Sequence, residues 1–141
     1  MVKRGRKAVG GVAKIGISRG LPSGARLTVA DNSGAKVVEI INVVGYHGRL
    51  RRLPNASVAD MVIVTCKQGT PKMRRQILRG VVIRQRKPYR RSSGQWIQFE
   101  DNAVVITSET GDPQASEVHG PVAREAAERW PRVASVASII V

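Results

Sequence analysis

Aromatic side chains are scarce in this chain: two Trp, two Tyr and one Phe make up 4% of its residues. Proteins that read free single strands usually stack successive bases on an aromatic platform, so composition argues against that mode. Cysteine is nearly absent. Cys66 stands alone, so no intramolecular disulfide can form and nothing points to secretion. The two histidines, His47 and His119, have no metal-ligating partner at usable spacing. No apolar run approaches the roughly 20 residues of a membrane helix, and the basic N-terminus lacks the apolar stretch of a secretory signal. The phosphate-cradling loop is missing too, because Gly20-Leu21-Pro22-Ser23-Gly24 has neither the lysine nor the following hydroxyl. Ser33 precedes Gly34 without the nucleophile-elbow pattern. The expectation is a cytoplasmic protein that is not an enzyme, needs no metal or cofactor and has no membrane partner.

Acidic residues are the other shortage, and an uneven one. Residues 1–99 hold 21 Lys/Arg against three acids, Asp31, Glu39 and Asp60. Residues 100–141 reverse the balance, with Arg124, Arg129 and Arg132 against seven acids. The whole carries a formal charge of +14 and a pI near 11.4. Such a field attracts phosphate-rich polymers, and the asymmetry suggests a nucleic-acid surface plus a different one. A length of 141 residues suits one domain with one modest core. Residues 1–17 mix Gly with basic residues and read as an extended arm, flexible until bound. Residues 18–141 form the single domain.

Within that domain the dominant pattern is the short strand. Leu27 and Val29 alternate with Arg26 and Thr28 in residues 25–30. Asp31-Asn32-Ser33-Gly34 follows as a turn. Residues 36–44 are apolar on both faces except at Glu39 and Asn42, which predicts a strand that is central or covered on both sides. Residues 45–54 form a long basic loop. Residues 60–67 read as a strand whose Val62, Val64 and Cys66 share a face, making Cys66 a small buried hydrophobe. Residues 80–86 form a strand that places Arg84 and Arg86 on one face and Ile83 and Gln85 on the other. Residues 88–94 make a second basic loop, and 96–107 two short strands around Glu100-Asp101-Asn102. Gly120-Pro121 signals a helix start, with Val122, Ala123, Ala126, Ala127 and Trp130 on one face and Pro131 as the stop. Arg124–Glu128 and Glu125–Arg129 are i,i+4 pairs on its exposed side. Residues 135–141 fit a turn or a strand equally. No internal repeat is visible. The pattern predicts a mostly β protein, a small closed or nearly closed β-barrel with a C-terminal helical appendage and a basic arm.

Three basic clusters carry the functional reading. They are Arg49-Leu50-Arg51-Arg52, Lys72-Met73-Arg74-Arg75 and Arg84-Gln85-Arg86-Lys87-Pro88-Tyr89-Arg90-Arg91, with Lys36 and Lys67 as further candidates. Arginine dominates, and its planar fork can grip a phosphate through two hydrogen bonds and stack on a base. A charge run is often only a solvated face. Here Asp60 is the only acid in residues 40–99, so the runs cannot neutralise one another locally. A barrel could present all three as one phosphate-binding face. Tyr46 and Tyr89 are the only aromatics inside the basic loops, which favours recognition of folded RNA by backbone and shape.

The residues also carry a resemblance. Leu21-Pro22-x-Gly24-Ala25, then Ala30-Asp31-Asn32-Ser33-Gly34-Ala35-Lys36 and Gly48-Arg49-Leu50-x-Arg52-Leu53-Pro54, resemble the L-fourteen family of large-subunit ribosomal proteins. Gly80-Val81-Val82-Ile83-Arg84-Gln85-Arg86-Lys87, Tyr89-Arg90-Arg91, Gly94, Phe99-Glu100-Asp101-Asn102-Ala103 and Val105-Ile106 continue it in order and spacing. Gly120-Pro121-Val122-Ala123 and Trp130-Pro131-Arg132 complete it. The likeness spans residues 18–136 and is to the archaeal or eukaryotic branch. It implies a five-stranded β-barrel with C-terminal helical segments that binds large-subunit rRNA at the subunit interface, near a bridge to small-subunit rRNA. It also implies neighbours of the L-three and L-twenty-four-e families, and a docking surface for the anti-association initiation factor six near the C-terminal helix. The rival readings are a free RNA-binding chaperone or assembly factor, and an RNA-modifying enzyme, for which no acid–base constellation is visible.

Overall fold

The computed structural model describes residues 16–141, so the expected basic arm lies outside the described residues except for Gly16 and Ile17. In chain order the elements are β1 (Leu21–Pro22), β2 (Arg26–Val29), β3 (Ala35–Val43), β4 (Asn55–Ala56), β5 (Met61–Gly69), β6 (Ile77–Arg84), β7 (Tyr89–Arg90), β8 (Trp96–Ile97), β9 (Ala103–Thr107) and β10 (Val118–Val122). Two short helices, α1 (Arg124–Arg129) and α2 (Pro131–Val136), and a last strand, β11 (Ala137–Ile140), complete the set.

Five strands close into a barrel in the order β2-β3-β5-β6-β9. Neighbours are antiparallel, except that β9 closes on β2 in parallel, Thr28 opposite Ala103 and Val29 opposite Val104. The interior follows from period-two alternation. Leu27, Val38, Ile40, Val62, Val64, Cys66, Val82, Val104 and Ile106 point inward and form one buried cluster. Cys66 is the buried free thiol that its strand face predicts. The Asp31–Gly34 turn joins β2 to β3. Its Asp31 carboxylate accepts from Ser33 N–H (3.0 Å) and, across the barrel rim, from Ile106 N–H (2.8 Å).

A second apolar cluster lies outside the barrel wall. Val81, Ile83, Ala103 and Val105 point away from the interior and pack under Val118, Val122, Ala123, Ala126, Trp130 and Val133. The segment from β10 through α2 is thus a cover over β6 and β9, and these strands are the ones buried on both faces. β3 is central, since it pairs on both edges, but its outer face is open, with Ile41 44% exposed.

The C-terminus departs from its expected form. Gly120-Pro121 does not start a helix: both residues lie in β10, which pairs in parallel with β11 through Pro121–Ile139 and Val122–Ile140. Gly120 has φ +77, outside helical space, and His119 N–H donates to Ala30 O at 2.6 Å, which fixes the extended path. The proline rule holds instead at Pro131, which opens α2 at its first turn. Pro131 also ends α1, because the preceding Trp130 is pushed out of the helical region, to φ −123 and ψ 81. Glu125 and Arg129 reach to other elements: Glu125 meets Arg91, and Arg129 meets Asp60.

Gly80 marks the tightest point of the wall. A Cβ there would lie 2.6 Å from Val104 Cγ2 and 2.9 Å from Val105 O. We expect Gly80→Ala to cost roughly 1–3 kcal/mol by overpacking, seen as a lower urea midpoint with an unchanged slope. An unchanged midpoint would show that the wall can give way.

Candidate nucleic-acid interface

Strand direction decides where the basic clusters sit. The 45–54 loop leaves the end of β3 and leads to the start of β5, while the 85–102 segment leaves the end of β6. Since β3 and β6 both run antiparallel to β5, these segments share one end of the barrel. The turn between β5 and β6, carrying Lys72, Arg74 and Arg75, lies at the other end beside the Asp31–Gly34 turn, where Thr70 N–H donates to Gly34 O. β5 is nine residues long, which at about 3.3 Å per residue separates the ends by some 25–30 Å. The three clusters therefore do not form one compact patch. Two meet at one end, and Lys36 and Lys67, both exposed, stand with the third at the other.

At the first end Arg49, Arg51, Arg52, Arg86, Lys87 and Arg90 are exposed, and none takes part in an ion pair among the described residues. Arg51 has φ 67 and sits in a tight turn in which Arg52 N–H donates to Arg49 O, so successive side chains project outward. Residues 16–22 run along this end. Gln85 Nε2 donates to Ser18 O, Gly20 N–H to Ala56 O, and β1 pairs with β4. Arg19 stacks over the Tyr46 ring at 5.3 Å and offers its carbonyl to Lys87 Nζ. Arg19 does not stand out in the sequence because it is isolated between Ser18 and Gly20; its proximity to the clusters comes from the β1–β4 pairing.

Three candidates are turned inward. Arg84 is 9% exposed. Its Nε donates to Asp101 Oδ1 (2.9 Å), Nη2 to Asp101 Oδ2 (3.2 Å), and Nη1 to the carbonyls of His119 (3.1 Å) and Pro121 (2.9 Å). Ladder irregularity between Val82 and Arg84 breaks the simple alternation, so Arg84 and Arg86 do not share a face: Arg84 is buried and Arg86 exposed. Tyr89 is fully buried, with its hydroxyl donating to Glu125 Oε2 at 2.8 Å. Arg91 Nε donates to Glu125 Oε1 at 2.8 Å, and its Nη2 donates to the Val141 carbonyl at 2.7 Å. A guanidinium committed to such partners has little left for phosphate. These three hold the cover in place, while Arg49, Arg51, Arg52, Arg86, Lys87 and Arg90 stay exposed to solvent.

The Lys67 ammonium lies 3.9 Å from Glu39, which also meets Arg26 at 3.5 Å, so this acid tempers the open wall of β2, β3 and β5. Acids of the last third are largely occupied as well: Asp101 by Arg84, Glu109 by Arg79, Asp112 by Arg132 and Glu125 by Arg91. No group of three or more His, Cys, Asp or Glu among the described residues could hold a metal ion, and no helix among them is long and apolar enough to cross a membrane.

The Tyr89–Glu125–Arg91 cluster has a distinct titration. Burial first, then the hydrogen bond and charge of Glu125, push the Tyr89 phenol up, against a weaker pull from Arg91. At Arg91 burial opposes the charge, but interactions with Glu125 and Tyr89 outweigh it and the pKa moves up. With Tyr89 raised above the free value of 10.0, the unfolded chain gives up this proton first. The stabilisation is therefore complete below pH 10 and is lost as pH climbs toward the folded value. Tyr89→Phe should cost about 1.5–3 kcal/mol at neutral pH. Its stability should then fall less steeply than the parent's between about pH 9 and 11 in denaturant titrations. Parallel pH profiles would refute the assignment.

Comparison with known proteins bears on the same residues. The family model described as ribosomal protein L14p/L23e matches residues 20–141. The large ribosomal subunit protein uL14 of Pyrobaculum arsenaticum is 54% identical over 144 aligned positions, covering all of both chains. The proteins of the same name from Caldivirga maquilingensis and Thermofilum pendens are 52% and 50% identical, again over the full length of both chains. The match begins just before β1 and takes in every element of the barrel and its cover, and the relatives it joins are archaeal. The chain belongs to the L14p/L23e family of ribosomal proteins, of the archaeal type.

Proposed function

We propose that this protein is a structural, non-catalytic constituent of the large ribosomal subunit that grips rRNA through its exposed basic loops. Family membership supports the ribosomal reading. The observation that carries the RNA reading is the group of exposed cations at one barrel end, Arg49, Arg51, Arg52, Arg86, Lys87 and Arg90, with no ion pair among the described residues. Phosphate contacts supply most of the affinity in such interfaces and make it salt-dependent. Lys36, Lys67, Lys72, Arg74 and Arg75 form a second contact region at the far end, so the protein spans between RNA segments. Arg84, Tyr89 and Arg91 support this surface from inside.

The family resemblance extends the proposal to partners. The expected neighbours are ribosomal proteins of the L-three and L-twenty-four-e families and small-subunit rRNA at an intersubunit bridge. The C-terminal helices, α1 and α2, are the proposed landing surface for initiation factor six. Exposed acids of the last third, Glu100, Glu117 and Glu128, together with the exposed Ile139 and Ile140, make this part of the chain a poorer RNA surface than the loops.

Replacing Arg51, Arg52 and Arg90 with Gln should weaken binding to large-subunit rRNA. It should also reduce the log–log salt slope by about 0.7–0.9 for each phosphate that is no longer neutralised. An unchanged affinity and slope would overturn the loop assignment. In sedimentation the protein should stay with large subunits after a moderate salt wash. Recovery mainly off the subunit would favour a free RNA chaperone.

A further inference from the structure

The β7–β8 hairpin carries the one strongly exposed large aromatic ring among the described residues. Tyr89, Phe99 and Trp130 are buried and Tyr46 is half-buried under Arg19, but Trp96 is 64% exposed. The hairpin is short but firmly held. Tyr89 pairs with Ile97 and Arg90 with Trp96, and the turn closes through Arg91 N–H to Gln95 O (2.8 Å) and Gly94 N–H to Arg91 O (2.9 Å). Directly opposed residues of an antiparallel pair share a face. One face, Tyr89 and Ile97, packs on the outer core, with Tyr89 and Arg91 both fastened to Glu125. The other face holds Arg90 and Trp96 toward solvent, with β-carbons about 5 Å apart.

We propose that Trp96 is a stacking platform for a single unpaired RNA base, with Arg90 beside it to take the phosphate of the same or the next nucleotide. The proposal rests on the rRNA-binding reading above. Three observations favour RNA over a protein partner. The ring stands at the barrel end where the unpaired cations gather. No acid occurs between Asp60 and Glu100, so everything flanking the ring in the chain is basic or neutral. The hairpin backbone that carries the ring is hydrogen-bonded before binding, so only the side chain remains to be ordered on stacking. Scarcity of aromatics still argues against reading a run of bases; one ring serves one base.

Fluorescence separates this proposal from the basic-loop reading. The chain has two Trp, and the other, Trp130, is buried with its Nε1–H donating to Ala59 O. On titrating the full-length protein with large-subunit rRNA, and separately with small-subunit rRNA, Trp96 emission should be quenched by whichever RNA supplies the base. The quenched component should be absent in Trp96→Phe. Trp96→Leu should bind that RNA roughly 5- to 150-fold more weakly, Trp96→Phe should retain most of the affinity, and neither should change the salt slope. Full affinity in Trp96→Leu, or unquenched emission with both RNAs, would overturn the stacking proposal. The salt slope of a variant with only Arg51 and Arg52 replaced by Gln, which leaves Arg90 in place, judges the basic loops independently.

Discussion

A guanidinium taken out of water must be given its partners together, and Arg84 is where this protein does so. It sits at the end of β6 on the outer side of the barrel. Its partners come from the loop before β9 and from β10, so one side chain joins the wall, a connecting loop and the cover. Removing one side of a buried pair leaves an uncompensated charge, which is far costlier than the pair's net worth. Gly120 belongs to the same arrangement. A Cβ there would lie 2.6 Å from Arg84 Nη1, and the φ of +77 is one that other residues rarely adopt, so glycine suits this close approach. The apolar cluster between the cover and the barrel wall, which includes Trp130, supplies the bulk of the attraction. Arg84 sets where the cover lies.

This arrangement reassigns the charges. The basic two-thirds and the acidic last third suggest an RNA surface and a separate acidic surface. In the folded chain Asp101 and Glu125 instead fasten the inward Arg84 and Arg91, while Glu109 and Asp112 make more exposed surface pairs with Arg79 and Arg132. The net positive charge is thereby sorted into arginines that fold the protein and arginines that stay exposed with no ion pair among the described residues. Arg91 and Arg90 are neighbours in sequence and fall on opposite sides of that division.

The barrel is legible in the sequence because its interior alternates. Leu27, Val62, Val64, Cys66 and Val104 repeat at period two within their strands, and the turn residues fall between them. The Asp31–Gly34 turn is legible for the same reason that it works: its carboxylate and hydroxyl bond locally. The C-terminus misleads because Gly120-Pro121 satisfies a local helix rule, while the strand it pairs with arrives only at Ile139. The inward arginines are hidden in basic runs because their partners lie 17 and 34 residues away. One signal is available at the second site. Tyr89 and Arg91 are two apart, so a strand that buries the ring carries the guanidinium inward with it. Trp96 is invisible to composition, which counts rings but does not place them.

The parallel closure of β9 on β2 has a consequence for how the chain reaches its final form. The Asp31 carboxylate and the Ile106 amide that it holds are 75 residues apart. Such long-range pairing is slow, because loop closure must precede the contacts that reward it. During synthesis β2 waits with one edge unpaired until β9 has been made, and the outer faces of β6 and β9 wait longer for their cover. A chain this basic with open strand edges is exposed to wrong partners for that interval. The order of synthesis thus leaves the fastening acids until last, and they complete the fold after the cationic loops are already in place.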